Sequence, residues 1–295
     1  MAKIHGVGTQ LSGKVGQITF RQTKYGTVAY ETPVQAKTPR RSEKQMYIRM
    51  QWANLAAIYR QFNDTLKQGF EGLGNAMSVY NAFIQANTNV VRVYITKQVR
   101  LNGGSVLAPY QITRGTLPSI ATSKNDHDIL VTNLNLGHLT IGPDTTVAEF
   151  AQAMIAYNDS FDDGDQLTFF YGVQTVDKVT DTPRAKINGY KLVLDTTDTT
   201  PLWEVVAALG FSTVNGKLGM SQTITDGAAA WVHSREDETT LKVSTQFLYV
   251  DSTVLANYQD NKAFGNSADS YGGVNTKAVY LSPSENGDNH KSTEG

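Results

Sequence analysis

The sequence predicts an α+β protein: an extended N-terminal arm and hairpin with a helical pair, followed by a mixed, mainly-β domain with short helices. Apolar and polar residues alternate in two short runs near the N-terminus, as they do in strands. Apolar residues recur at helical spacing after residue 42, and strand-like runs alternate with short helical patterns in the second half. The predicted divisions are a basic arm and hairpin (1–41), a helical pair with short strands (42–120), an acidic mixed α/β or β-sandwich-like domain (121–280) and a mobile polar tail (281–295).

The composition is that of an ordinary globular protein. Of the 295 residues, 40% are hydrophobic and 18% are charged, which is enough for a sizeable core. No window of about 18 apolar residues is present, so we expect no membrane span. With no cysteine, the chain has neither a disulfide framework nor thiolate chemistry, which favours an intracellular origin.

The arm contains a predicted hairpin. QITFRQ at residues 17–22 and TVAYET at residues 27–32 alternate apolar and polar side chains, and TKYG at residues 23–26 supplies a glycine turn between them. A lone hairpin is marginally stable in water, so we expect this one to pack on something else. PVQAKTPRR at residues 33–41 is rich in prolines and cations, which favours an extended linker.

A helical pair is predicted after the arm. Ser42 is the expected N-cap of the first helix, with Gln45 three residues on to complete a capping box. We expect the apolar seam of this helix to face the core, and Arg49 and Arg60 to lie on a solvated side. The seam consists of Ile48, Trp52, Leu55, Tyr59 and Phe62. A second helix is predicted over residues 76–86, and the glycines before it favour an αα-hairpin.

Short strands and helices are predicted for the rest of the chain. Two strand-like runs at residues 89–98 and 106–115 surround a glycine turn, and a polar stretch marks a boundary near residue 120. Further strands are predicted at residues 129–136, 139–141, 167–176, 190–194, 228–233 and 241–250. Helices are predicted at residues 146–157, 202–209 and 254–264.

The net charge of −1 conceals a split between the two halves. Residues 1–114 hold 15 Lys and Arg against 4 Asp and Glu, and residues 115–295 hold the remaining 11 basic and 23 acidic residues. Attraction between copies, or between the arm and an acidic partner or nucleic acid, is one interpretation. Two solvated domains of different isoelectric point are the other.

Motifs of catalysis and of metal or nucleotide binding are absent from the sequence. The histidines follow no metal-ligand spacing, and there is no HExxH, GxSxG, P-loop or GxGxxG pattern. No pair of carboxylates is nominated for glycoside hydrolysis. We therefore expect no enzymatic activity, no catalytic or metal-binding residues and no cofactor.

One acidic loop is the best candidate for a cation site. NDSFDDGDQL at residues 158–167 contains Asp159, Asp162, Asp163 and Asp165. Carboxylates in a glycine-containing loop suit calcium, although the spacing is not that of an EF-hand. A solvated turn between a helix and a strand is the alternative that we favour.

The tryptophans are expected in the core rather than on a sugar-binding surface. Trp52 and Trp203 lie on apolar faces of predicted helices, and Trp231 lies in a predicted strand.

The basic residues of the arm could contact phosphates, and Phe20 and Tyr25 are interleaved with them, as in proteins that bind single-stranded nucleic acid. The cations concerned are Lys14, Arg21, Lys24, Lys37, Arg40, Arg41 and Lys44. The acidic second half of the chain would repel a polyanion such as nucleic acid unless the two are kept apart. Nucleic acid is therefore a weaker candidate for the partner than protein.

Several segments occur in the same order in a known family: GKVG at 13–16, KTPRRSEKQ at 37–45, the helix through Phe62, Gly69 with Phe70, and ITRGTLP at 112–118. Over about the first 120 residues the chain resembles an uncharacterised family of Bacteroidota bacteria and their phages, which has a basic-proline stretch before a helical pair. Members often carry a glycine- and tryptophan-bearing strand after GKVG, where this chain has QITFRQTKYG. SREDETTLKVSTQFLYV at 234–250 and DSYGGVN at 269–275 are similar to segments of virion proteins of crAss-like tailed phages.

The resemblance and the arm together predict a virion structural protein of a tailed phage, made in the cytoplasm of the bacterial host and located in the virion. We expect head-to-tail rings at the neck or tail, formed by arm exchange between subunits, with other copies and other virion proteins as partners. The expected subunit-interface residues are Lys14, Arg21, Lys24, Tyr25, Arg40 and Arg41. A capsid-bound head fibre or decoration protein, and a nucleic-acid-binding packaged protein that uses the basic arm, are the alternatives.

Overall fold

The computed structural model describes residues 12–23, 26–32, 43–66, 69–74, 77–237 and 240–271. Contacts within the chain group it into two compact units, residues 1–42 and residues 43–295. The fold is α+β, with a mainly-β domain that carries short helices, as predicted. The tail 281–295, which was predicted to be mobile, lies outside the described residues.

The first unit contains an antiparallel sheet in the order β1-β2-β3. Its strands are β1 (Gly13–Val15), β2 (Ile18–Thr23) and β3 (Gly26–Glu31). The pairing of β2 with β3 confirms the predicted hairpin, whereas β1 was not predicted. Gly16 has φ = +61° in the turn between β1 and β2, a left-handed conformation that glycine adopts without steric cost. The second glycine of GKVG is therefore a turn residue.

The second unit begins with the predicted helical pair, α1 (Glu43–Gln61) and α2 (Val79–Asn87). Aromatic rings join the two helices. The ring centroid of Tyr59 lies 5.1 Å from that of Tyr80 and 5.4 Å from that of Phe83. Both helices are thus confirmed, although the predicted N-cap, Ser42, lies outside the described residues.

The remaining helices and strands of the second unit are mostly short. The helices are α3 (Lys97–Leu101), α4 (Val147–Tyr157), α5 (Leu202–Val205), α6 (Thr253–Ala256) and α7 (Asn261–Ser270), with 3-10 turns at Asn63–Leu66 and Ala208–Gly210. The strands are β4 (Gln111–Thr113), β5 (Thr122–Lys124), β6 (Ile129–Asn135), β7 (Gln166–Asp177), β8 (Thr182–Val193), β9 (Ser212–Val214), β10 (Lys217–Thr223), β11 (Gly227–Asp237), β12 (Thr240–Val243), β13 (Gln246–Phe247) and β14 (Tyr249–Asp251).

A five-stranded antiparallel sheet is the centre of this unit. Its order is β12-β11-β7-β8, and β14 also pairs with β11. The hairpin of β7 and β8 pairs all 12 residues of each strand. A four-stranded sheet has the order β5-β6-β10-β9, and β13 pairs with β4.

The five-stranded sheet separates two hydrophobic cores. Alternate residues of β11 enter different cores, since successive side chains of a strand point to opposite faces: Ala230 and Val232 belong to the first core, and Ala229 and Trp231 to the second. The first core also contains α1, α2 and residues 93–112, and the second contains α4 and side chains of the four-stranded sheet. Residues before and after position 120 therefore share the first core.

Helix α1 buries a different face from the predicted seam. Leu55 and Phe62 are buried, but Ile48 and Trp52 are each 44% exposed, so the expectation that Trp52 lies in the core is wrong. The buried face is rotated because Asn54, a polar residue that an apolar pattern ignores, is fully buried. The buried positions of α1 are Met50, Gln51, Ala53, Asn54, Leu55 and Ile58.

Two asparagines from the helical pair hold the extended segment 104–111 in the first core. The Asn54 side chain accepts a hydrogen bond from the N–H of Val106 and donates one to its carbonyl, both at 2.8 Å. The Asn87 side chain does the same for Gln111, at 2.7 and 2.8 Å. Each amide thus reproduces the pairing that a neighbouring strand would offer.

A glutamine from the sheet holds the same segment from the other side. Gln174 of β7 accepts from the N–H of Leu107 at 2.8 Å and donates to the carbonyl of Ser105 at 3.2 Å. We call Asn54, Asn87 and Gln174 the amide clamp. Because side chains satisfy the backbone here, the strand predicted at residues 106–115 shrinks to β4.

Helix α4 and Trp231 agree with the sequence predictions. Thr146 Oγ1 accepts from the N–H of Glu149 at 3.2 Å, and Glu149 Oε2 accepts from the N–H of Thr146 at 3.0 Å, so a capping box begins the helix. Trp231 is 1% exposed, and its Nε1 donates to the carbonyl of Gly210 at 2.9 Å. This tryptophan is therefore in the core, as expected.

Other predicted elements are confirmed only in part. Strands β6 and β7 lie where predicted, β8 extends well beyond residues 190–194, and β11 and β12 pair across the charged turn. The helix predicted at 202–209 is shortened to α5 and a 3-10 turn. The helix predicted at 254–264 is divided into α6 and α7, because the Asp260 carboxylate accepts from the N–H of Ala263 and begins a new helix.

Two predicted strands of the second unit are wrong, and three of its strands were missed. Residues 89–98 form no strand, and α3 begins within them. Residues 139–141 lie beside β9 but are bridged by the Thr213 hydroxyl, which donates to the Leu139 carbonyl and accepts from the N–H of Ile141, both at 3.0 Å. The unpredicted strands of the second unit are β5, β9 and β10.

The amide clamp predicts a large loss of stability in Asn54→Ala. This substitution removes both partners of Val106, and a buried polar group left without a hydrogen bond costs about 1–3 kcal/mol. We expect the free energy of unfolding, measured by urea denaturation, to fall by about 3 kcal/mol. The control is Gln85→Ala, which removes an exposed amide from α2. It should change the free energy of unfolding by less than about 0.5 kcal/mol. Equal effects of the two substitutions would contradict the clamp.

Candidate functional site

The predicted interface residues Lys14 and Arg21 lie on one face of the three-stranded sheet. Directly opposed residues of antiparallel strands share a face. The register opposes Lys14 to Thr19, Thr19 to Tyr30, and Arg21 to Val28. Thr19 and Arg21 also share a face, because they are two residues apart on β2. We call the surface formed by Lys14, Arg21, Val28 and Tyr30 the basic face.

The opposite face of this sheet is apolar. Val15, Ile18, Phe20 and Ala29 share it by the same register, and Val15 and Ile18 are 49% and 47% exposed. On the basic face, Val28 is 50% exposed. Apolar side chains are thus exposed on both faces. Strands β1 and β3 form the edges, and neither pairs with a further strand in the part of the chain that the structure describes.

Four of the six predicted interface residues lie outside the described residues: Lys24, Tyr25, Arg40 and Arg41. The first two fall in the connection between β2 and β3, and the other two fall in the basic-proline stretch. Their part in a subunit contact stays a prediction.

The charge asymmetry follows the boundary between the two units. Residues 1–42 hold 7 Lys and Arg against 1 Glu, a net charge of +6. Residues 43–295 hold the other 19 basic and 26 acidic residues, a net charge of −7. The two units therefore carry net charges of opposite sign.

The acidic loop that was considered as a cation site contains a buried ion-pair network. Asp165 is 2% exposed and is held by the guanidinium of Arg235, at 2.6 and 2.7 Å. His233 Nε2 lies 2.7 Å from Asp165 Oδ2, and its ring stacks on Phe161 with centroids 3.9 Å apart. Arg235 also pairs with Asp162 at 2.7 Å. The guanidinium of Arg235 on β11 thus pairs with two of the four carboxylates of the loop.

The network lowers the pKa of Asp165. Burial alone would raise the pKa of this carboxyl group, but hydrogen bonds from Arg235 and His233 and from the backbone of Asp162 outweigh it and hold the pKa well below its ordinary value. Asp165 therefore carries its charge in the folded protein at neutral pH.

The loop has no arrangement of carboxylates that converges on a cation. Asp163 Oδ1 accepts from the N–H of Thr196 at 2.9 Å, while Asp162 and Asp165 are directed at Arg235. Over the described ranges, no group of three or more His, Asp or Glu side chains is placed to hold a metal ion. The geometry fits a structural turn between α4 and β7.

A surface groove of about 420 Å³ lies against the second core, and sequence reasoning missed it. Its walls are Ile141, Pro143, Leu202, Trp203, Val206 and Phe211. Trp203 is 59% exposed, so the expectation that it lies in the core is wrong. The reason is local: Leu202 is 2% exposed, and the next residue of a helix points about 100° away from it. A helix of four residues cannot bury both.

A second cleft, of about 390 Å³, lies beside α7. Two of its lining residues, a tyrosine and an aspartate, already have structural roles. Tyr94 is 4% exposed and packs its ring 4.8 Å from that of Phe264, and Asp260 caps the helix. The cleft therefore does not present a convergent set of catalytic groups.

The ion-pair network predicts an acid-dependent contribution of Asp165 to stability. Because its folded-state pKa is depressed, the contribution is complete above the unfolded pKa of about 4 and is lost as the pH falls through the folded value. We expect Asp165→Asn to lower the free energy of unfolding by about 3 kcal/mol at pH 7, since it breaks a buried ion pair. The difference from the unsubstituted protein should shrink below pH about 4 in denaturation measured across pH.

The matched control is Asp159→Asn, which removes the same charge from an exposed position of the same loop. It should change the free energy of unfolding by less than about 0.5 kcal/mol. A pH-independent effect of Asp165→Asn would contradict the role of its charge.

Comparison with known proteins does not assign a chemical role to any residue of this chain. Every helix in the described part of the chain is too short or too polar to cross a membrane. No family model matches this chain, and neither the curated proteins nor the solved structures contain a match to it.

Proposed function

We propose that this chain is a non-enzymatic structural protein of a tailed-phage virion, and that its first unit binds a neighbouring subunit. The observation that carries the proposal is the exposed sheet of β1, β2 and β3. Four of its apolar side chains are between 43% and 50% exposed: Val15, Ile18, Val28 and Tyr30. Packing these exposed apolar side chains against another surface would remove them from water and so stabilise the sheet.

The mode of binding that suits this sheet is strand addition combined with side-chain packing. Its edge strands β1 and β3 end the sheet within the described residues. An exposed edge pairs readily with a strand of another chain, with main-chain hydrogen bonds for affinity and alternate side chains for register. Phe20 and Tyr30 lie on opposite faces of the sheet. Either face therefore offers an aromatic side chain that could fix the register of an added strand.

The opposite charges of the two units support a head-to-tail contact. If the first unit of one copy binds the second unit of the next, the contact joins two different surfaces. Such a contact produces a ring when the rotation closes and a filament when it does not. The net charges of +6 and −7 favour it over contact between like units.

The virion assignment rests on the resemblance of the arm and the helical pair to a family found in Bacteroidota and their phages. A ring at the neck or tail uses the head-to-tail contact directly, and copies of the chain and other virion proteins are then its partners. The same contact would serve a capsid-bound head fibre or decoration protein, which is the alternative within this class.

Removal of residues 1–41 tests the proposal. We expect the full chain to form an oligomer and the shortened chain to be monomeric, as measured by light scattering after size exclusion, because the contact surface is lost. The second unit should remain folded, with an unchanged near-ultraviolet signal from the buried Trp231. An oligomer that survives the deletion, or a full chain that is monomeric at high concentration, would refute the proposal.

The basic face favours a second candidate function, the binding of single-stranded nucleic acid. Lys14 and Arg21 share that face with Tyr30, and a base can stack on a tyrosine ring between two cations. This use of the arm would leave the oligomer unchanged on deletion, so the two functions are separable.

Substitution of both cations tests this candidate. Lys14→Gln with Arg21→Gln should lower the salt dependence of single-stranded DNA binding, measured by fluorescence anisotropy, by about 1.4 in logarithmic slope, since two phosphate contacts are lost. The control is Arg49→Gln with Arg60→Gln, which removes two exposed charges from α1. Equal slopes for both variants would exclude the basic face as a nucleic-acid site.

A further inference from the structure

The groove beside Trp203 has the features of an unoccupied protein contact. It is a concave, mainly apolar surface, and the indole at its rim is more than half exposed. Val205, in the same short helix, is 39% exposed. Tryptophan is enriched among residues that dominate binding energy at interfaces. A hollow beside an exposed indole therefore fits an inserted apolar side chain.

The surroundings of this groove are acidic. Asp144 follows Pro143 of the wall, Glu204 follows Trp203, and both carboxylate side chains are exposed. The segments that build the groove, residues 138–146 and 195–223, hold 4 Asp and Glu against 1 Lys. The partner that fits is consequently an apolar surface flanked by cations.

The basic face of the three-stranded sheet has this composition. Val28 and Tyr30 are exposed apolar side chains that could enter the hollow, and Lys14 and Arg21 lie beside them on the same face. Arg21 could also stack on the indole of Trp203, since guanidinium groups favour tryptophan faces. The opposite face lacks Lys and Arg at its paired positions, so it matches an acidic rim less well.

We infer that the Trp203 groove of one copy is the docking site for the basic face of a second copy. This inference rests on the proposed subunit contact and names the surface that receives the arm. Val28 and Tyr30 pack in the groove against Trp203, and the cations of the arm pair with Asp144 and Glu204. The neighbouring copy, rather than a separate protein, is the occupant because its arm has both the matching charge and the matching exposed apolar residues.

Substitution of the exposed indole tests the docking site. Trp203→Ala should weaken self-association about 30-fold in Kd, the effect of truncating a dominant interface residue. Trp52→Ala is the matched control, since Trp52 is also a half-exposed tryptophan on a helix, and it should leave Kd within about twofold. Sedimentation velocity over a concentration series measures both. Equal Kd values for the two variants would overturn the inference.

Charge reversal gives a second, independent readout. Lys14→Glu with Arg21→Glu, and separately Asp144→Lys with Glu204→Lys, should each weaken assembly, and the four changes in one chain should restore it. Failure of the combined variant to assemble, while its second unit melts normally, would overturn the pairing of these charges.

Disulfide trapping identifies the contact directly, because the natural chain contains no cysteine. A Tyr30→Cys chain mixed with an Ala208→Cys chain should form a mixed disulfide under mild oxidation, since Ala208 lines the groove. A Trp52→Cys chain, used in place of the Ala208→Cys chain, should not form a mixed disulfide. Comparable yields would overturn the docking site. If deletion of residues 1–41 abolishes the oligomer but no groove variant affects it, the proposed function stands and only this inference fails.

Discussion

Buried side-chain amides determine how the helices and the sheet of the second unit fit together. The extended segment 104–111 lies in the first core without a strand ladder along most of its length, and its backbone groups would be costly there if left unpaired. Asn54 and Asn87 bind it from α1 and α2, and Gln174 binds it from β7. One segment thereby connects three elements. The rotation of α1, which exposes Trp52, follows from the need to direct Asn54 inward.

Features that depend on residues close together in the sequence were easier to predict than features that depend on distant residues. Helix α4 and strand β7 were predicted because the helical spacing of apolar residues and a short apolar run are local signals. The amide clamp was missed because its bonds join residues 52, 24 and 67 positions apart, which no local pattern reveals. For the candidate site, the sequence placed Lys14 and Arg21 in an exposed arm, but their common face depends on the pairing of β1, which was not predicted.

The acidic loop illustrates how a charged motif can be structural. A run of aspartates suggests a cation, yet its most buried member, Asp165, faces Arg235 and His233 on β11, about 70 residues later in the chain. The guanidinium of Arg235 compensates a carboxylate taken out of water, as a bound metal ion would, and His233 adds a close polar partner. The loop thereby fixes the start of β7 to β11. Function is better sought where apolar groups stay exposed without compensation, in the first unit and beside α5.

The two exposed tryptophans differ in the charge that surrounds them, which is why the proposed docking site is placed at Trp203. Trp52 and Trp203 are similarly exposed, so apolar area alone does not distinguish them. Trp52 lies one helical turn from the exposed Arg49, whereas Trp203 precedes an exposed glutamate in a segment rich in acids. A basic arm is repelled near the first and attracted near the second. Because arm and receptor are different surfaces in the proposed contact, that contact would repeat from copy to copy in one direction, as a ring requires.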